Sequence, residues 1–270
     1  MRSRVQGFTL VEMLVAALIL VIILGIVAAF FVQQARLNRH TEAGTEAHDK
    51  ARMVMQIATT DLHSAGTDVY SNPSTGVIES PAVGLTLCPT DSGSGISTCL
   101  VGANGTDTAH VQDRAAMDYL TTLQPLATAC REVAYAFNTS NTLYRADKAC
   151  DTTTGATLLA TSSITSDFAV LAPGILAFDV HYLCSNGNPM DSIPDTTTCP
   201  KNSAYVRSAL VTVIAQSDTR VDGIPAKTYE VPMGEAATAA GVTQANVTCG
   251  PNRACYGMTQ EVLLPNLKDR

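Results

Sequence analysis

From Phe8 to Val32 the chain reads FTLVEMLVAALILVIILGIVAAFFV, a run of 25 residues in which Glu12 is the only charge. As a helix with ~1.5 Å rise per residue it is about 37 Å long, enough to cross a hydrocarbon core of ~30 Å. Residues 1–7 precede it and carry Arg2 and Arg4. That positive bias holds the short leader on the cytoplasmic side and sends the rest of the chain across the membrane. A cleaved secretory signal has an apolar core of only ~7–15 residues and a small-x-small site, for which Ala28-Ala29 is the nearest match. A plain anchor gives no reason for Glu12, because a carboxylate inside a bilayer costs at least ~2.5 kcal/mol.

Composition removes whole classes of function. Hydrophobic residues make up 46% of the 270 positions and charged residues 15%, the reverse of a disordered chain. The length allows one or two domains. Seventeen basic against 24 acidic residues give a net charge of −7, and loss of Arg2 and Arg4 with the leader leaves −9. An acidic chain lacks the basic surface that displaces counterions from phosphates, so direct nucleic-acid binding is not expected. Eight cysteines suit an oxidising compartment.

The string Gly7-Phe8-Thr9-Leu10-Val11-Glu12 resembles the class III signal of type IV pilins and of type II secretion pseudopilins. The resemblance implies that a prepilin peptidase cuts between Gly7 and Phe8 on the cytoplasmic side, that Phe8 is then methylated, and that the helix stays with the mature protein. Glu12 becomes its fifth residue. In the family this glutamate pairs with the amino terminus of a neighbouring subunit and guides its entry into the filament. Many major pilins carry a proline in the second half of this helix, whereas here Gly25 is the only helix-weakening residue between Phe8 and Val32. That departure favours a minor pilin or a pseudopilin.

Beyond Val32 no proline or turn cluster occurs before Gly66. Leu37, Gly44, Ala51, Ala58 and Ala65 recur every seven residues, widened by Val54, Met55, Ile57 and Leu62, with Arg36, Arg39, Glu42, Glu46, Asp49 and Lys50 opposite. The pattern predicts an amphipathic helix over 33–66 that continues the apolar one and stops at Gly66, a favourable C′ residue. From Thr67 onward, about 200 residues make a β-rich head. Two strand-like runs flank Asn138–Asn141 as a hairpin. Ile175–Cys184, Ala204–Gln216 and Gln260–Leu264 read as further strands, and 89–109, 151–167 and 185–203 as surface loops. The expected fold is α+β: a long N-terminal helix, transmembrane and then amphipathic, packed on an antiparallel head.

The order of motifs in the head resembles the PilW-like minor pilins and the related J-type pseudopilin. Tyr135 with Leu143-Tyr144-Arg145 stands for the family's hairpin, Ala177–Tyr182 for its second strand, and Val206–Ser217 for its third. The closing Val262-Leu263-Leu264-Pro265-Asn266-Leu267 has Pro265 where the family has arginine, and the tryptophan common after the second strand is absent.

Consecutive cysteines each enclose a loop-like segment, which predicts the disulfides Cys88–Cys99, Cys130–Cys150, Cys184–Cys199 and Cys249–Cys255. Such closures add ~2–4 kcal/mol each. No C-x₂-C or zinc spacing joins the cysteines to His40, His48, His63, His110 or His181, which read as ordinary solvated or satisfied histidines. Asp107, Asp151, Asp191 and Asp195 read as solvated loop carboxylates, since no EF-hand spacing links them. No catalytic motif and no cofactor or metal site is expected. The resemblance implies a minor type IV pilin that primes or assembles a surface filament. Its expected partners are other pilins through the N-terminal helix, the prepilin peptidase, an inner-membrane assembly platform, and lipid before assembly. A type II secretion pseudopilin and a membrane-anchored binding module or adhesin are the alternatives.

Overall fold

The computed structural model describes residues 10–66, 70–71, 78–79, 100–103, 105, 107, 111–120, 130–138, 140–149, 164, 166–193, 197–199, 205–234 and 241–267. Gly7, Phe8, Cys88, Cys99, His110, Cys150, Asp151 and Asp195 lie outside these residues. Two compact units divide the chain, residues 1–42 and 43–270. One helix, α1 (Leu10–Ser64), runs through the boundary without interruption. Over its 55 residues it contains no proline and two glycines, Gly25 and Gly44, neither with a neighbour within 4 Å of where a Cβ would stand. It ends where expected. Gly66 takes φ +71°, the left-handed conformation that costs glycine least, and its N–H donates to the carbonyl of Asp118 at 2.8 Å.

In the first unit every side chain from Leu10 to Val32 is exposed. This is the one helix among the described residues long and apolar enough to cross a membrane.

Among the described residues the second unit holds two larger antiparallel sheets and two two-stranded pairs. After the short pair β1 (Tyr70–Ser71) and β2 (Ile78–Glu79) come β3 (Leu100–Ala103), β4 (Arg114–Leu120), β5 (Cys130–Phe137), β6 (Thr142–Ala149) and β7 (Phe168–Pro173), which form a five-stranded meander in chain order. The chain then enters β8 (Ile175–Cys184), β9 (Pro189–Met190) and β10 (Val206–Gln216). A hairpin of β11 (Lys227–Val231) and β12 (Ala245–Cys249) precedes β13 (Cys255–Leu263). The second sheet has the order β13-β10-β8-β9.

The predicted hairpin is β5–β6, closed by Asn138–Asn141. Asn138 Oδ1 accepts from the N–H groups of Ser140 and Thr142, and Asn141 takes φ +56°. The closing strand is longer than the expected Gln260–Leu264, because β13 pairs with β10 from Cys255 onward. Strand β3 lies within 89–109, a stretch expected to be loop. Its small residues fit because it pairs flat against β4 and because Gly102 lies under Tyr182, whose ring a Cβ there would strike.

The core joins helix and both sheets. Ala51, Val54, Met55, Ala58, Leu62 and Ala65 of the helical segment share one cluster with Met117, Val133, Tyr135 and Leu143 of the first sheet and Phe178, Val180, Tyr182, Val211 and Val213 of the second. Tyr135 and Phe178 stack at 5.2 Å between ring centroids, linking the sheets. The outer face of β8 and β10 carries Ala177 and Ile214, which pack with Tyr229, Val231 and Val247 of the β11–β12 hairpin. Both of these central strands are therefore buried on two faces, and their sequences read as near-continuous apolar runs.

The helix stripe differs from its expected course. Its buried face is Ala43, Ala47, Ala51, Val54, Met55, Ala58, Asp61 and Leu62, while Leu37 is 56% exposed. The seven-residue pattern overstates the buried stripe at its N-terminal end, because burial begins at Ala43, where the second unit begins. Glu46 and Lys50, assigned to the solvent face, bridge to Asp218. Its N–H donates to Glu46 at 2.8 Å, and its carboxylate pairs with Lys50 at 2.7 Å.

These burials make a paired prediction. Met55→Ala removes a side chain at 1% exposure and should cost about 2–5 kcal/mol in denaturant unfolding. Leu37→Ala should stay within about 0.5 kcal/mol of wild type.

Candidate functional site

Two places in the molecule hold the residues that matter for the expected function. The first is the N-terminal part of α1. Glu12 is the third residue of the described helix and lies in its first turn, where the helix dipole favours a negative charge. Around it Leu10, Val11, Met13 and Leu14 are 64–79% exposed. A water-exposed face of that kind, continued to Val32 on all sides of the helix, is a surface made for lipid or for other apolar helices.

The second place anchors the helix in the head. Asp61 sits on the buried face of α1 among alanines and Leu62. Tyr135 on β5 and Arg145 on β6 are direct cross-strand partners, so their side chains leave the sheet side by side. Both reach Asp61. The Tyr135 hydroxyl donates to Oδ2, and Arg145 grips the carboxylate with both prongs, Nε to Oδ2 at 2.8 Å and Nη2 to Oδ1 at 3.1 Å. Asp147 extends the network. It accepts from Arg145 Nη1 at 3.1 Å and from Arg131 Nε at 2.8 Å. The fork geometry suits arginine, whose planar donors match a carboxylate in a way lysine cannot. Burial acts against the charge of Arg145, but Asp61 outweighs it and raises the arginine pKa. Burial, reinforced by Asp61, holds the Tyr135 phenol well above its usual range.

Sequence reading found Tyr135 and Arg145 only through the resemblance, and it missed Asp61. One aspartate on an otherwise apolar helix face at 51, 54, 55, 58, 62 and 65 was the available signal. The other face of the first sheet holds a second surprise. Asp118 and Glu132 face each other directly across β4 and β5, and Lys148 faces Glu132 from β6. Asp118 is fully buried, and neither of its carboxylate oxygens has a hydrogen-bond partner among the described residues. Burial, and then the nearby Glu132, raise its pKa well above the usual carboxylate range.

The remaining candidates divide. The Asp107 side chain accepts from the N–H groups of Val111 and Gln112 at 3.1 and 3.0 Å. Asp191 meets His181, which is 7% exposed and not an isolated histidine. Among the described residues no three acidic, histidine or cysteine side chains are grouped to hold a metal. Disulfides join Cys184 to Cys199 and Cys249 to Cys255, with Cα separations of 5.7 and 6.3 Å. Of the other two expected pairs only Cys130, at the start of β5, is described.

The described geometry can now be set beside known proteins. Residues 2–28 match the family model for the prokaryotic N-terminal methylation motif. Over 263 residues, covering 97% of both chains, the sequence is 37% identical to a pilin-like protein, PilA3, of Thermus thermophilus. The chain belongs to the type IV pilin-like proteins. A solved type IV-like pilin of Thermus thermophilus also matches at 14% identity and TM-score 0.46, over 82% of this chain and 97% of that one. Membership of the pilin-like family implies processing by a prepilin peptidase and assembly with other pilins. Relatives in this family are structural proteins, not enzymes. Within the second unit the Asp61 network ties the helical segment to β5 and β6.

Two outcomes follow for this type IV pilin-like protein. Asp61→Ala leaves Arg145 and Tyr135 facing a buried gap and should lower unfolding stability by about 3–5 kcal/mol. Arg145→Lys, which keeps the charge but loses the fork, should fall between that variant and wild type. The second concerns pH. A carboxyl whose folded pKa is raised stabilises the fold while protonated and loses that contribution as pH rises above its ordinary range. Asp118→Asn should therefore be less sensitive to pH than wild type between pH 5 and 8. Its advantage over wild type should grow toward pH 8 in parallel denaturant titrations.

Proposed function

We propose that this protein is a minor pilin subunit of a type IV pilus that primes or assembles the surface filament, with a structural and not a catalytic role. The observation that carries the reading is an apolar helix exposed on every side from Leu10 to Val32, none of whose residues belongs to the core clusters of the described head. Such a helix is stable in lipid before assembly and against the helices of other subunits afterward. The absence of proline from it supports a minor role over that of the main filament subunit.

In this reading residues 1–7 are the leader, 8–32 the membrane and filament-core segment, 33–66 the continuation into the head, and 67–270 the head itself, outside the cytoplasm. Cleavage falls between Gly7 and Phe8, and Phe8 is methylated. Glu12 guides register by pairing with the amino terminus of an adjacent subunit, an ion pair that lipid makes strong and exacting. The disulfides Cys88–Cys99 and Cys130–Cys150 complete a set of four with the two described, and the oxidising compartment keeps them closed.

Three measurements on cells that build the filament check this. Gly7→Leu should accumulate as a full-length precursor in the membrane fraction, and normal processing of that variant would remove the signal assignment. Intact mass of the wild-type product should correspond to a chain starting at N-methyl-Phe8 with eight cysteines oxidised. Glu12→Gln should be processed normally yet be lost from sheared filaments, whereas wild-type incorporation of that variant would refute the register role.

A further inference from the structure

Beyond Val32 the chain reads QQARLNRH, so the first two charges after the apolar run, Arg36 and Arg39, are both positive. They stand three residues apart on one face of α1, and both are exposed. Neither has a hydrogen bond or an ion pair among the described residues. Lys50, farther along the helix, is by contrast paired with Glu46 at 2.9 Å and with Asp218 at 2.7 Å. On the N-terminal side of the two arginines a shallow groove follows the helix surface, lined by Ala28, Ala29, Val32, Gln33 and Arg36.

Depth along the helix decides what these groups meet. At ~1.5 Å per residue, Arg36 lies about 6 Å and Arg39 about 10.5 Å past Val32. The polar layer on each side of a ~30 Å hydrocarbon core is about 5–8 Å thick. Side chains on a helix lean back over the turn N-terminal to them, which here is toward the apolar run. With that run in a membrane, both guanidinium groups reach the level of the lipid phosphates. We propose that Arg36 and Arg39 form a binding site for the phosphate of an anionic glycerophospholipid in the leaflet on the head side, with an acyl chain of that lipid lying along the Ala28–Ala29 groove. The proposal rests on the reading of residues 8–32 as the membrane segment.

The chemistry selects a lipid with net negative charge. A guanidinium fork matches phosphate oxygens two at a time, and two such forks on one helix face present two positive charges. A zwitterionic headgroup carries its own ammonium, which already offsets its phosphate, so it answers those charges less well. The groove supplies the apolar half of the site, because the small side chains of Ala28 and Ala29 leave room beside the helix for a chain. A second copy of α1 in the same register is a poorer occupant. It would set Arg36 and Arg39 beside their own equivalents, and like charges repel. Glu42, three residues beyond Arg39, makes no ion pair with it, so neither arginine is neutralised within the described chain.

Photo-crosslinking of the full-length protein in phosphatidylcholine vesicles tests the site. The probes are trace phosphatidylglycerol and trace phosphatidylcholine, each with a diazirine at the glycerol end of one acyl chain. Mass spectrometry maps the adducts, and those on residues 28–40 are counted apart from any near Arg2 and Arg4. The phosphatidylglycerol probe should exceed the phosphatidylcholine probe there by about fivefold for each arginine, the ratio that matches ~1 kcal/mol per basic residue at a membrane surface. Arg36→Gln and Arg39→Gln should each remove about that factor, and the double variant should show equal yields. Arg36→Lys with Arg39→Lys should restore the preference, because both charges return. Arg52→Gln, which removes a charge about 30 Å past Val32, should leave it unchanged. Equal yields in the wild type, or a preference that survives in the double Gln variant, overturn the proposal. A surviving preference together with loss of that variant from sheared filaments assigns the arginines to a neighbouring subunit instead. Failure of the protein to float with the vesicles overturns the membrane reading and the site together, whereas flotation with equal yields overturns the site alone.

Discussion

The head of this protein is organised around one carboxylate. Asp61 is the single charged residue on the buried face of the helix, and the Tyr135 hydroxyl and the Arg145 fork converge on it from neighbouring strands. Apolar contacts alone would let a face of alanines slide along a sheet, since small side chains interlock weakly and the hydrophobic effect has no direction. A bidentate pair at 2.8 and 3.1 Å has direction, and breaking it would leave a charge buried. It sets rotation and height of the helix against β5 and β6. Tyr135 then stacks on Phe178, which carries that placement into the second sheet. Around the same helical segment, Glu46 and Lys50 meet Asp218, and the His63 carbonyl accepts from Asn266 at 3.1 Å, so each end of the buried segment is held by a polar contact.

Within the second unit the helical segment is joined to the sheets by a polar network flanked by close-packed alanines. The small residues Ala43, Ala47, Ala51 and Ala58 let the helix backbone lie near the sheets, which makes the network reachable. The portion before Val32 is apolar and exposed on every side, with Glu12 as its only charge.

Charge is handled differently on each face of the sheets. On the helix side the acids are paired. On the far side Asp118 is buried without a hydrogen-bond partner among the described residues, opposite Glu132, and burial raises its pKa. At Asp113, Asp179, His181 and Asp191 four titratable groups share one neighbourhood, and the histidine bridges two of the carboxylates. Where burial raises a carboxyl pKa, stability falls as pH rises above the ordinary carboxylate range.

Much of this was legible in the sequence for a specific physical reason. The membrane-length run, the charge at Glu12, the stop at Gly66, the β5–β6 hairpin around Asn138–Asn141 and the strands β8 and β10 are local signals, carried by hydropathy, helix-ending glycine and turn chemistry within a few residues. The extent of β13, the strand character of β3, the start of helix burial at Ala43, and the partners of Asp61, Asp118 and His181 are set by residues distant in sequence or on a neighbouring strand. Sequence periodicity reports which face of an element is apolar; it does not report what that face meets. Asp61 therefore stands out in the sequence only as one aspartate on an otherwise apolar helix face. Only the cross-strand register that sets Tyr135 beside Arg145 made it the anchor, because two donors on adjacent strands can converge on one carboxylate only after the sheet has formed.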